Sequence, residues 1–117
     1  MKDLRTNDPA KYYLKVVKDR SRKKGLEFDL DYEWIKEKFD NGVCEISGER
    51  LDFTYTPGTP GNSAYSEFTP SIDRIDSSRG YLKENCQVVC IWINRAKGIS
   101  SMEDFKKNIL NLANKLK

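Results

Sequence analysis

Pro70-Ser-Ile-Asp73-Arg74-Ile75-Asp76-Ser-Ser-Arg79-Gly80-Tyr81-Leu-Lys-Glu-Asn85-Cys86-Gln-Val-Val-Cys90-Ile91-Trp-Ile93-Asn94-Arg95-Ala-Lys97-Gly98 is the stretch around which the chain is organised. Two short alternating runs with β-branched residues, Ser71 to Ile75 and Gln87 to Cys90, flank the turn-rich segment Asp76 to Asn85 and predict a strand-loop-strand hairpin. The helix formers Arg95, Ala96 and Lys97 stand just before Gly98, so a short helix over Ile91 to Lys97 follows, with Gly98 as its stop. In so small a β-β-α unit, Asp73 on the first strand and Asn94 on the helix can face each other at a distance one cation bridges through oxygen.

Outward from this unit, Val43 to Gly48 ends on a glycine, Gly48, expected to take a backbone conformation closed to other residues. Leu51 to Tyr55 alternates and is rich in aromatics, which predicts a short strand. Thr56 to Ser66 is dense in Pro, Gly and Ser and predicts a surface loop, either a tolerated insertion or a contact with nucleic acid. Toward the N-terminus, Asp8-Pro9 is a helix start running to about Lys24, with Tyr12, Tyr13, Val16 and Val17 as its apolar stripe. After an extended link over Leu26 to Asp31, a second helix begins at the Asp31 cap and ends at Asn41-Gly42, with Trp34 as a core anchor. At the other end, Ser100 with Glu103 fits a capping box. Met102, Phe105, Ile109, Leu112 and Leu116 then give an amphipathic helix expected to pack on the β-β-α unit or on the first helix.

Length and composition bound the rest. At 117 residues, 38% hydrophobic and 33% charged, the chain fits one globular domain, divided as a helical part over 1–42, a core over 43–98 and a final helix over 99–117. No apolar run approaches a membrane span, and three cysteines without a secretory signal predict reduced thiols in the cytoplasm. The net charge of +3 is unevenly placed. Nine Lys or Arg against three Asp in residues 1–25 give +6 there and leave −3 on the remainder. Lys18, Arg20, Arg22, Lys23 and Lys24 cluster on the first helix in a pattern suited to phosphate contacts, or simply to solubility, and Arg79, Arg95 and Lys97 add to that charge around the hairpin. No P-loop, dinucleotide fingerprint, Ser-His-Asp set or internal repeat is present.

The segment D-R-I-D followed by G-Y-x-x-x-N-x-x-V-V-C-x-x-x-N-x-x-K resembles the HNH, or His-Me finger, endonucleases, in particular the recombination endonuclease VII type and a phage and plasmid branch of it. The resemblance covers Val43 to Gly98. It implies an α+β fold, a small ββα-metal core carrying an N-terminal basic helix, a second helix and the C-terminal amphipathic helix. It implies Mg or Mn on the hard oxygens of Asp73 and Asn94, and Asn85 fastening the hairpin loop. It also implies metal-dependent hydrolysis of phosphodiester bonds in nucleic acid, with DNA as the expected partner and the host cytoplasm as the compartment of a phage protein. Three signature residues differ. Arg74 stands where the family has its general-base His, and the chain holds no His at all. A guanidinium, with a pKa above about 12, grips phosphate but accepts no proton. Asp76 is the nearest carboxylate for the base, with Tyr81 behind it, and a turn-capping role is the other reading of Asp76. C-x-x-S at Cys44 and C-x-x-I at Cys90 leave too few thiols for a structural zinc, even with Cys86, so none is expected. The alternative function is an HNH-like fold that binds nucleic acid, or serves a defence system, without cutting.

Overall fold

The computed structural model describes residues 8–54 and 66–117. Among them the chain is a mixed α+β structure with four α-helices and one two-stranded antiparallel sheet. Helix α1 spans Pro9–Lys24. The Asp8 carboxylate caps it by accepting from the Lys11 N–H, and Gly25 ends it at φ 66°, in the left-handed region where a side chain is disfavoured. Its buried face is Ala10, Tyr13, Val17 and Ser21, with Tyr12 and Val16 on its half-buried edge. The Tyr13 ring meets Phe39 edge-on at 5.1 Å, and its hydroxyl donates to the Pro70 carbonyl at 2.8 Å. That bond anchors the basic helix against the start of the sheet. Burial, with Tyr12 close by, raises the Tyr13 pKa well above the ordinary phenol value, so its proton stays available for this bond.

Helix α2, Tyr32–Asn41, is capped by Asp31, whose Oδ1 accepts from the Trp34 N–H at 2.9 Å, and it closes on Gly42. Ile35 and Phe39 bury its inner face, while Trp34 sits half-buried at the rim under the Lys38 ammonium rather than in the core centre. The link between α1 and α2 does more than connect them. Phe28 forms a parallel bridge with Tyr81, the Tyr81 N–H donates to the Glu27 carbonyl at 2.9 Å, and Lys83 binds Asp29 and Asp31. Extended backbone from the N-terminal part thus lies along the hairpin loop.

Strand β1, Pro70–Arg74, pairs antiparallel with β2, Cys86–Cys90, placing Asp73 opposite Gln87. A 3₁₀ turn at Lys83–Asn85 leads into β2. Helix α3, Ile91–Lys97, follows β2 directly and ends at Gly98. Val88, Val89, Cys90 and Ile93 are almost fully buried and join α1 and α2 in one core. The turn over residues 43–50 lies on the outer side of β2, where the Glu45 N–H donates to the Val88 carbonyl at 2.9 Å and Gly48 takes φ 75°.

Three local expectations change. Leu51 to Thr54 forms no strand. Leu51 bonds to Gly42 and Asp52 to Phe68, one bond on each side, and the Asp52 carboxylate turns back to accept from the Thr54 N–H and hydroxyl. Tyr55, and the proposed loop over 56–65, lie outside the described residues. Helix α4, Met102–Leu116, is capped by Ser101 rather than Ser100, the Asp104 N–H donating to Ser101 Oγ at 3.1 Å. This helix buries Phe105 alone and leaves Leu110, Leu112 and Leu116 exposed, so it packs through its first turn and not along its length. No described helix is long and apolar enough to cross a membrane.

Candidate functional site

Asp73 is the next-to-last residue of the hairpin's first strand and the last of that strand to remain inside the core, and it is almost fully buried. Its Oδ2 accepts from Gln87 Nε2 at 3.0 Å, a cross-strand bond that follows from the register. Its Oδ1 accepts from Lys97 Nζ at 3.3 Å, and the same ammonium donates to the Arg74 carbonyl at 3.1 Å. Lys97 is only 1% exposed. Its expected contact with nucleic acid is therefore corrected: a buried ammonium needs a partner inside the protein, and Asp73 is that partner.

Asn94, one turn earlier on α3, donates through Nδ2 to Ser71 Oγ at 2.6 Å, which leaves its Oδ1 to accept. Arg74 donates through Nη1 to the carbonyls of Ser77 at 3.0 Å and Arg79 at 2.9 Å, and its guanidinium lies 5.2 Å from the centre of the Tyr81 ring. Arg74 thus holds the loop, with the other guanidinium nitrogens left over. Tyr81 is largely buried beneath it and lines the same cleft as Asp73.

Asn85 ties the loop from within. Its Oδ1 accepts from the Asp76 N–H at 3.0 Å, while its Nδ2 donates to the carbonyls of Asp76 at 3.0 Å and Gly80 at 2.9 Å. It touches no open surface, so its place is to shape the loop rather than to meet a reacting group. Asp76 is a turn residue. Its Oδ1 accepts from the Ser78 hydroxyl and N–H, and these bonds hold its carboxyl below the ordinary carboxylate range. A carboxylate so stabilised is a weaker base, and Asp76 does not line the cleft that Asp73 lines, so the base role expected of it is not supported by its geometry.

That cleft, of about 240 Å³, is lined by Asp73, Arg74, Ser77, Asn94 and, from α1, Arg20 and Lys24. The fold therefore brings two of the basic helix residues to the Asp73–Asn94 pair. Lys18 and Lys23 are exposed elsewhere on α1, Arg22 pairs with Asp19 at 2.7 Å, and Arg79 pairs with Glu84. Arg95 is exposed on the last turn of α3. Comparison with protein-family models, curated proteins and solved structures finds no match to the chain.

Among the described residues no group of three or more His, Cys, Asp or Glu is placed to hold a metal. Asp73 and Asn94 are hard oxygen donors on one cleft, but both Asp73 oxygens already accept, from Lys97 and Gln87, and the other charged groups lining the cleft are cationic, so a dication there would need the negative charge and oxygens of a phosphate beside it. The thiols make a separate environment. Cys44 and Cys90 are buried side by side. Burial opposes ionisation of Cys44, but hydrogen bonds from Ser47 and from the N–H groups of Ser47, Cys90 and Ile46 outweigh it and lower its pKa. Burial and the contact with Cys44 push Cys90 up to about 11, and burial pushes Cys86 up to about 12.

Sequence reasoning missed the Lys97–Asp73 pair and the bridge from Phe28 of the extended link to Tyr81. The first carried a faint signal, since Lys97 repeats the side of α3 marked by Ile93 and lies four residues after it. The second carried none that is local.

Proposed function

We propose that the chain is an HNH-type nucleic-acid endonuclease that hydrolyses phosphodiester bonds of DNA at the Asp73–Asn94 cleft. The observation that supports it is the composition of that cleft. Two hard oxygen donors from the strand and helix of a β-β-α unit share it with Arg20 and Lys24 of the basic helix α1. Arg20 and Lys24 bind the backbone phosphates on either side of the cleaved bond, and the nitrogens of Arg74 not spent on the loop meet the phosphate between them. Mg or Mn, when bound, polarises a phosphoryl oxygen and acidifies a water, chemistry that a chain without imidazole needs more than its His-bearing counterparts. Asp73 and Asn94 would hold the ion. Asn85 and Arg74 keep the loop in the shape that leaves the cleft open.

A second reading, binding without cleavage, is favoured by one observation: the Lys97 ammonium already rests on Asp73. The two readings separate in a nicking assay on supercoiled plasmid with Mg and with Mn, run alongside equilibrium binding. The endonuclease reading expects nicking by wild type, loss in Asp73→Ala, and a fall of about 10² to 10³ in rate in Arg74→Ala through lost charge stabilisation. Wild type that binds and never nicks, with nicking restored in Arg74→His by a new imidazole base, selects the second reading. Nicking that survives Asp73→Ala in full rules out this cleft.

A further inference from the structure

Lysine on the last turn of a short surface helix ordinarily runs its stem along the protein and keeps its ammonium in water. Lys97 does the opposite, although its neighbours Arg95, Ala96 and Gly98 are all exposed. Its ammonium is enclosed with Asp73 Oδ1 and the Arg74 carbonyl, at the carboxylate where the proposed function places a divalent ion. Asp73 and Lys97 together are neutral, and the remaining charged groups on the cleft, Arg20, Lys24 and Arg74, are all positive. A dication entering this protein alone meets a carboxylate whose charge is already met, in a positive surround.

From this geometry we infer that Lys97 gates the metal site, so that Mg or Mn loads at Asp73 only together with a nucleic-acid phosphate. The inference rests on the reading of Asp73 and Asn94 as ion ligands. A phosphodiester brings both a negative charge to offset the incoming dication and oxygens to complete its shell. It also draws Arg20, Lys24 and Arg74 onto itself. In the free protein the ammonium serves as the cation of the site. With phosphate in the cleft, the ammonium shares Asp73 with the ion or shifts toward the Arg74 carbonyl. Binding of metal and of nucleic acid is then positively coupled, and linkage makes the coupling reciprocal: each ligand tightens the other by the same factor. The gate keeps a hydrolytic ion out of the protein until substrate is present.

The test is an Mn titration of the full chain followed by electron paramagnetic resonance of free Mn, with and without a short DNA duplex, the duplex-alone titration being subtracted. For wild type the gate predicts Mn binding at least about tenfold tighter with the duplex than without it. Lys97→Met, which keeps the unbranched stem and removes the charge, should bind Mn at least about tenfold tighter than wild type in the absence of DNA. Asp73→Asn in either background should abolish both gains. Equal Mn affinity for wild type with and without duplex overturns the gate, as does a folded Lys97→Met that binds Mn no better than wild type. If Lys97→Met does not fold, Lys97→Gln, which also removes the charge and keeps a donor toward Asp73, is read in its place. Failure of the endonuclease reading is a different result: coupled Mn and DNA binding without nicking leaves the gate standing and removes hydrolysis. Nicking combined with uncoupled Mn binding leaves hydrolysis standing and removes the gate.

Discussion

Replacing Asn85 with Ala should destabilise the protein strongly through the hydrogen bonds that shape the hairpin loop. The side chain is almost fully buried and makes three hydrogen bonds, one accepted from the Asp76 N–H and two donated to the carbonyls of Asp76 and Gly80. Truncation leaves one donor and two acceptors of the loop backbone without partners, in a place water reaches poorly. At about 1 kcal/mol for each bond, the loss is about 3 kcal/mol. For a domain of this size such a loss lowers the melting temperature by about 10 °C. Asn85→Asp should be at least as harmful, because the carboxylate keeps the acceptor and loses both donors while facing two carbonyls. The assay is thermal unfolding by circular dichroism, paired with amide hydrogen exchange. Exchange should speed up first at Ile75 and Asp76, since the Ile75 N–H donates to the Asn85 carbonyl at 2.7 Å. A melting temperature within about 2 °C of wild type would refute the reasoning, because at most one of the three bonds could then matter.

Three further outcomes follow from the geometry. A Cβ on Gly80 falls on the backbone of Glu27, within clashing distance of its N, C and O, so Gly80→Ala should cost about 1–3 kcal/mol or more in urea unfolding; a loss under about 0.5 kcal/mol would mean that the link and loop can separate freely. Duplex DNA binding should weaken with salt at a log-log slope near −4 to −5, since each neutralised phosphate contributes about −0.9, and Arg20→Ala with Lys24→Ala should flatten it by about 1.8; an unchanged slope removes α1 from the binding surface. Asp31 has its pKa lowered by the hydrogen bond from Lys83 and then by the Trp34 N–H. A depressed folded pKa adds stability above the unfolded carboxylate value and loses it as pH falls through the folded value, so the advantage of wild type over Asp31→Asn should be present near neutrality and vanish in strong acid. Melting curves across that range check it, and an advantage that grows in acid contradicts it.

Apart from the cap of the last helix, which falls at Ser101 and not Ser100, the helix ends were legible in the sequence because they are written in short-range chemistry. Asp8-Pro9, Gly25, Asp31, Gly42 and Gly98 each satisfy or terminate backbone groups within a turn of themselves, and each stands where the structure begins or ends a helix. The two strands came within a residue of their observed bounds for a similar reason, since alternation is read locally. What failed depends on partners distant in sequence. Leu51 to Thr54 alternates as a strand does, yet no neighbouring strand runs beside it, and one bond to Gly42 and one to Phe68 do not make a ladder. Phe28 carries a strand's pattern for too few residues to announce that Tyr81 lies beside it.

The candidate site was legible in its residues and not in its charges. Asp73 and Asn94 were singled out by motif, and both line one cleft. Lys97 reads as surface in any composition-based scheme, because its burial is decided by a carboxylate on another element. Arg74 reads as a free guanidinium because nothing local shows that the loop turns two carbonyls toward it.

The most direct test of the account is a crystal structure of the protein with a short DNA duplex and Mn. The account predicts an anomalous Mn peak against Asp73 and Asn94 with a DNA phosphate in the same cleft and Arg20 and Lys24 on the flanking phosphates. DNA bound on another face, with Lys97 still closed on Asp73 and no Mn beside them, would contradict it.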